Sequence, residues 1–131
     1  MQKVIDIVNP DNLKAYVSTV SIGEIKSIAL RNKWSRRRVD IMNMLLDDLI
    51  SLEINENLVD TYAEIDAYSQ RQNPSYIDYP FSTPRNMGKN DLWIASTAAL
   101  LGLKLVTSDN DFNHLNNVFI EINYINSEVL K

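Results

Sequence analysis

Two stretches of this chain bring together side chains able to do metal chemistry. Lys89-Asn90-Asp91 opens an apolar run, Leu92-Trp93-Ile94-Ala95, that reads as a helix with a carboxylate at its mouth. Leu105-Val106-Thr107-Ser108-Asp109-Asn110-Asp111-Phe112 reads as a short strand with two carboxylates at its end. Acidic groups delivered to one place by neighbouring elements suit a hard divalent cation such as Mg2+ or Mn2+, which takes oxygen ligands and retains water. Such an ion polarises a phosphoryl oxygen and activates water, so these residues fit metal-dependent cleavage of phosphodiesters.

The elements that must position these groups alternate between strand and helix patterns. Tyr16–Ile22 is β-rich, and residues 24–32 read as a helix. Ser35 suits the N-cap of a second helix in which Val39, Met42, Leu46, Leu49 and Ile50 recur at helical spacing. Residues 52–54 form a short strand candidate, and Leu58, Tyr62 and Ile65 mark one face of a helix running to about Arg71. A loop over 72–90 follows, with Pro74, Pro80, Pro84 and Gly88, and loops this long in a compact domain tend to be functional or mobile. Residues 92–101 read as a helix closed by Gly102 as a left-handed cap. Residues 103–107 then read as a strand, 111–115 as a helical turn and 118–125 as a last strand. This alternation predicts an α/β fold, a three-layer α/β/α sandwich around a mainly parallel sheet. Ligands in such folds bind at the carboxyl ends of strands, which is where Glu24, Asp109 and Asp111 are expected. Asp91 joins them if the long loop delivers its helix to the same edge.

Composition narrows the setting. A chain of 131 residues fits one domain. No apolar run approaches a membrane span, and the N-terminus lacks the pattern of a signal peptide. The absence of cysteine removes disulfides and zinc–thiolate sites, and the single His114 makes a histidine-based zinc site implausible. These features predict a cytoplasmic protein whose metal site is built from oxygen ligands. The net charge of −4 is unevenly spread: residues 1–38 carry +5 and residues 39–131 carry −9. A basic segment such as Arg36-Arg37-Arg38 can track a phosphate backbone locally, although a solvated helix end would look the same.

Each acidic residue also has a purely structural role open to it. Ser21-Ile22-Gly23-Glu24 and Ser108–Asp111 match capping-box spacing, and Asp91 suits the positive end of a helix dipole. Trp93, Ile94, Leu100 and Leu101 read as core, and the aromatic cluster Tyr76–Phe81 and Trp34 read as packing before base stacking. His114 is expected on a surface turn, without a partner for acid–base work. A phosphoacceptor domain would want a lone aspartate ending a central strand and a later strand-end lysine, and neither is present.

Taken as a set, Asn90–Ala98 followed by Leu105–Phe112 resembles the C-terminal signature of PIN-domain nucleases, in particular the VapC-type toxins of bacterial toxin–antitoxin pairs. Ser18-Thr19-Val20-Ser21-Ile22-Gly23-Glu24-Ile25 is similar to that family's second motif. The resemblance covers nearly the whole chain. It implies a Mg2+- or Mn2+-dependent endoribonuclease in which Glu24, Asp91 and Asp109 are catalytic metal ligands and Asp111 is a nearby or water-mediated ligand. It further implies support from Thr107, positioning by Asn90, phosphate contacts from Lys89 and Arg85, a homodimer and a cognate antitoxin. The alternative is a non-catalytic module of the same fold that binds RNA or an antitoxin-like partner.

The chain departs from that pattern at its start. The family begins with a central apolar strand ending in an aspartate. Val4-Ile5-Asp6-Ile7-Val8 imitates it, yet only the eight residues Ile7 to Lys14 separate Asp6 from the next strand. A parallel crossover needs about a dozen residues or more. Residues 2–8 are therefore expected to be helical, Asp6 is not expected to be a ligand, and residues 1–131 are read as one PIN-like domain truncated before its first strand.

Overall fold

A computed structural model describes residues 2–130. The chain divides into two compact units, residues 9–54 and residues 55–130 together with 2–8. Each contains its own two-stranded parallel sheet. The α/β class and the parallel pairing agree with the sequence pattern, and Gln2–Val8 is a helix, α1, as the crossover length requires.

In the first unit, β1 (Tyr16–Ser18) leads into α2 (Thr19–Arg31), and α3 (Arg36–Asp47) leads into β2 (Ile50–Leu52). Tyr16 is in register with Ile50 and Ser18 with Leu52. The expected strand over Tyr16–Ile22 is cut short at Ser18, whose Oγ accepts from the Val20 N–H and caps α2. Local capping therefore outweighs the strand preference of Thr19, Val20 and Ile22. The capping-box reading of Ser21 and Glu24 fails for the same reason, because Ser21 already lies inside the helix. Ser35 caps α3 as expected, its Oγ accepting from the Arg38 N–H. Ile50 leaves that helix to donate its N–H to the Ala15 carbonyl at 2.9 Å, which starts β2 two residues before the expected strand.

In the second unit, α4 (Val59–Ser69) packs on α5 (Lys89–Leu101), and β3 (Leu105–Thr107) pairs with β4 (Ile122–Tyr124). Ala95 and Ser96 of α5 are fully buried, as are Ile65, Tyr68 and Ser69 of α4. Small residues on one helix let the large residues of the other approach closely. Ser96 and Thr97 turn their hydroxyls back on the Leu92 and Trp93 carbonyls, so neither is left unsatisfied. Leu92 is buried, whereas Leu100 and Leu101, expected in the core, are about half exposed because the helix meets α4 only along one stripe.

Gly102 closes α5 at φ 66°, and the Leu103 N–H returns to the Ala98 carbonyl at 2.9 Å. This is the left-handed cap the sequence predicts. A Cβ there would meet nothing within 4 Å, so the cost of Gly102→Ala is backbone strain alone. A loss of about 1 kcal/mol is expected, read as a lower denaturation midpoint at unchanged m-value. The last strand is shorter than residues 118–125 because Asn117, at φ 62°, turns the chain before β4 begins.

The segment between α4 and α5 has no regular structure, yet it is tied to the core. Tyr79 Oη donates to the Asn73 carbonyl and accepts from the Asn73 N–H, both at 2.9 Å. Asn73 Nδ2 reaches Glu64, and the Arg85 N–H donates to the Ser69 carbonyl at 2.7 Å. Tyr76, Tyr79 and Phe81 pack around Tyr68, so this aromatic cluster is packing, as expected. Burial is the leading cause that raises the Tyr68 hydroxyl above its ordinary pKa.

Candidate metal centre

The long segment ends by delivering Gly88, which caps α5, and the next three residues form the first turn. Asp91 is half-buried there, at the end of the helix whose dipole favours a carboxylate. Across from it, β3 ends at Thr107 and the chain turns into a 3-10 helix over Asn110–Leu115. Thr107 Oγ1 accepts from the Asp109 N–H at 3.0 Å, and Asp109 Oδ1 accepts from the Asp111 N–H at 2.9 Å. Asp109, not Ser108, is therefore the cap of that turn. The Thr107 bond fixes the backbone that carries Asp109.

These two elements bring one carboxylate oxygen each from Asp91, Asp109 and Asp111 within 4.8 Å of one another. Three like charges at that spacing repel, and a divalent cation between them relieves the repulsion. Asp109 and Asp111 are exposed, which leaves room for water and a substrate oxygen. Asn90 Oδ1, beside Asp91 in sequence, is buried and has no hydrogen-bond partner among the described residues. The donor set is all oxygen and fits Mg2+ or Mn2+ better than a soft metal. A shallow groove lined by Ala98, Gly102, Lys104 and Val118 lies at the far end of α5, roughly 15 Å along the helix from Asp91. With Asp109 and Asp111 exposed, the acidic group is open to solvent, as suits a polymer substrate.

The remaining expected residues fall as follows. Glu24 is exposed on α2, six residues past the end of β1, in the unit of residues 9–54. Lys89 and Arg85 are exposed near the start of α5. Asp6 lies within α1 and does not end a strand.

His114 corrects the expectation of a surface turn: it is buried, with Nε2 2.7 Å from Ser69 Oγ. Its ring stacks on Tyr68 and meets Phe81 edge-on. Burial, with a smaller contribution from the Arg85 charge, lowers its pKa to about 4. Its Nδ1 has no hydrogen-bond partner among the described residues. Ser69 also donates to Met87 Sδ at 3.5 Å, so the network is best satisfied when Nε2 carries the proton and Nδ1 keeps only a lone pair. A neutral imidazole held this way joins α4, the 3-10 turn and the segment leading to α5. No spacing rule in the sequence joins Ser69 to His114, so this brace was not foreseeable from it.

The chain is similar in structure to the crystal structure of VapBC2 from Rickettsia felis bound to a DNA fragment from their promoter, at TM-score 0.65 and 19% identity. The match covers 92% of this chain and 83% of the other. A search of curated proteins finds no significant match. The PIN domain family model matches residues 3–118, a span that holds the acidic group and all of residues 9–54, and the chain belongs to the PIN domain family.

Proposed function

We propose that this protein is a Mg2+- or Mn2+-dependent endoribonuclease of the VapC type, the toxin of a toxin–antitoxin pair acting in the cytoplasm. The observation that carries this reading is the convergence of Asp91, Asp109 and Asp111 at the ends of α5 and β3. Asp91 and Asp109 are the principal ligands and Asp111 a nearby or water-mediated one, while Glu24 on α2 enters as a ligand on the family resemblance alone. When bound, the cation supplies the positive charge that polarises a phosphoryl oxygen and lowers the pKa of an attacking water. Thr107 holds Asp109 in place, and Asn90, whose buried Oδ1 has no hydrogen-bond partner among the described residues, is a positioning residue. Lys89 and Arg85 bring positive charge next to the carboxylates in sequence and contact substrate phosphates.

A cognate antitoxin and a second copy of the chain are the protein partners of this reading. The antitoxin is supported by the likeness to the VapBC2 complex, and the homodimer by large apolar side chains left in solvent, among them Leu30 and Met44. Cleavage of a fluorescent RNA, restored by Mn2+ and abolished by EDTA, tests the activity. A protein that cuts equally well in EDTA would overturn it.

One observation favours a second reading, a non-catalytic module of the same fold that binds RNA or an antitoxin-like partner. Asp6, the residue that imitates the family's first-strand aspartate, belongs to a helix. Titration calorimetry separates the two readings: heat of Mn2+ binding in the millimolar range or tighter supports the nuclease, and a folded protein that takes up none supports the module.

A further inference from the structure

The turn between α2 and α3 carries Arg31, Lys33, Arg36, Arg37 and Arg38 with no acidic residue among them. These eight positions hold +5, while the rest of the chain holds −9. All five cations are exposed. Arg36 pairs with Asp40 at 3.2 Å on the surface. Among the described residues no acidic side chain pairs with Lys33, Arg37 or Arg38.

This charge works against the stability of its own helix. Arg36, Arg37 and Arg38 occupy the first turn of α3, where the backbone dipole favours acidic residues, and the first turn contains none. Each misplaced cation forgoes favourable helix electrostatics. Arg38 is nonetheless held in place, its guanidinium 3.9 Å from the centre of the half-buried Trp34 ring. Lys33 turns the chain at φ 52°, a conformation where glycine or asparagine would cost less, yet a lysine stands there. Arg38 is thus held by Trp34, while Lys33 and Arg37 have no acidic partner among the described residues, and exposed positive charge of this kind suits an external polyanion.

We infer that the 31–38 turn is a nucleic-acid backbone site that takes phosphodiesters through Lys33, Arg36, Arg37 and Arg38. The guanidiniums would fit phosphate or carboxylate oxygens alike, so the choice of nucleic acid over an acidic polypeptide rests on the Arg38–Trp34 platform, which matches a flat base. The inference deepens the proposed ribonuclease reading by assigning where the acidic protein holds its polyanionic substrate, and binding can be measured without cleavage.

The test is fluorescence anisotropy of the full chain in EDTA, from 50 to 300 mM NaCl, with a labelled 20-nucleotide single-stranded RNA and a labelled 20-base-pair DNA duplex. The Arg36→Gln/Arg37→Gln variant is expected to weaken RNA binding about tenfold at 100 mM salt. It should also flatten the plot of log Kd against log salt by roughly 1.4, the share of two phosphate contacts on a single strand. Its melting temperature should change little, because two cations leave a helix N-terminus while the Arg36–Asp40 pair is lost. A Lys14→Gln/Lys104→Gln variant removes the same net charge elsewhere and should bind like the wild type. A loss confined to the duplex assigns the turn to DNA instead of RNA and still supports a phosphodiester site. Equal weakening in both variants, or an equal loss of binding to polyglutamate, overturns the inference. If RNA is never cleaved but the Arg36/Arg37 variant still loses binding, the ribonuclease reading fails and this site stands. The reverse pattern removes the site and leaves the ribonuclease.

Discussion

Asp91→Asn is expected to lower metal-dependent RNA cleavage by about a hundred- to a thousandfold while leaving the protein folded. The substitution keeps the shape of the side chain and removes one of the three charges that converge within 4.8 Å. A metal site of this kind contributes several kcal/mol to charge stabilisation, and each factor of ten in rate corresponds to about 1.4 kcal/mol. Two effects on the metal-free fold oppose each other. The first turn of α5 loses a favourable charge at its positive end, and Asp109 and Asp111 lose a repulsive neighbour. The metal-free melting temperature should therefore change little. Added Mn2+ should raise the melting temperature of the wild type and fail to raise that of the variant, since a ligand stabilises the folded state it binds. Wild-type cleavage rates in Asp91→Asn, or an equal Mn2+ shift in both proteins, would contradict the assignment.

Acid is expected to destabilise the fold through His114 before most carboxylates are protonated. The unfolded imidazole titrates near 6.5, whereas in the folded protein burial, helped by the Arg85 charge, holds the value at about 4. Between these values the unfolded state takes up a proton that the folded state refuses, so stability falls as pH falls. The contribution is fully present above about pH 6.5 and is lost progressively towards pH 4, for a total of about 3 kcal/mol. The structural cause is that a proton on Nδ1 would meet no acceptor among the described residues, and the ring packs against Tyr68 and Phe81. His114→Gln cannot titrate in this range, and its amide can still reach Ser69. Urea midpoints measured from pH 7 to pH 4 should therefore fall more steeply for the wild type than for the variant, although the variant starts lower. Parallel pH profiles for the two proteins would show that some other group controls the acid limb.

Much of the fold was legible in the chain because its signals are local. Ser35 and Gly102 punctuate helices through bonds made within a few residues, and both caps form as the sequence pattern requires. The spacing from Ile7 to Lys14 is too short for a parallel crossover, and residues 2–8 are helical accordingly. Boundaries failed where two local signals competed. Thr19, Val20 and Ile22 have strand character, but Ser18 offers a cap and the helix wins. Ile50 continues the helical spacing of α3, but its N–H finds Ala15 across the sheet.

The acidic group was legible as residue types and order, and the sequence by itself determined that oxygen ligands, not thiolates or histidines, would build any metal site. Tertiary structure decided which of them meet. Asp109 and Asp111 are adjacent because one turn bonds the carboxylate of the first to the N–H of the second. Asp91 joins them only because a segment without regular structure is pinned by Asn73, Tyr79 and Arg85 before it releases α5. His114 shows the same division more sharply. As a residue two past Phe112 it reads as surface, and only the packing of Ser69, Tyr68 and Phe81 around it makes it a buried neutral brace. Caps, crossover lengths and ligand chemistry are properties of a few consecutive residues. Burial, convergence and proton affinity depend on neighbours distant in the chain, and those arise only when the core closes.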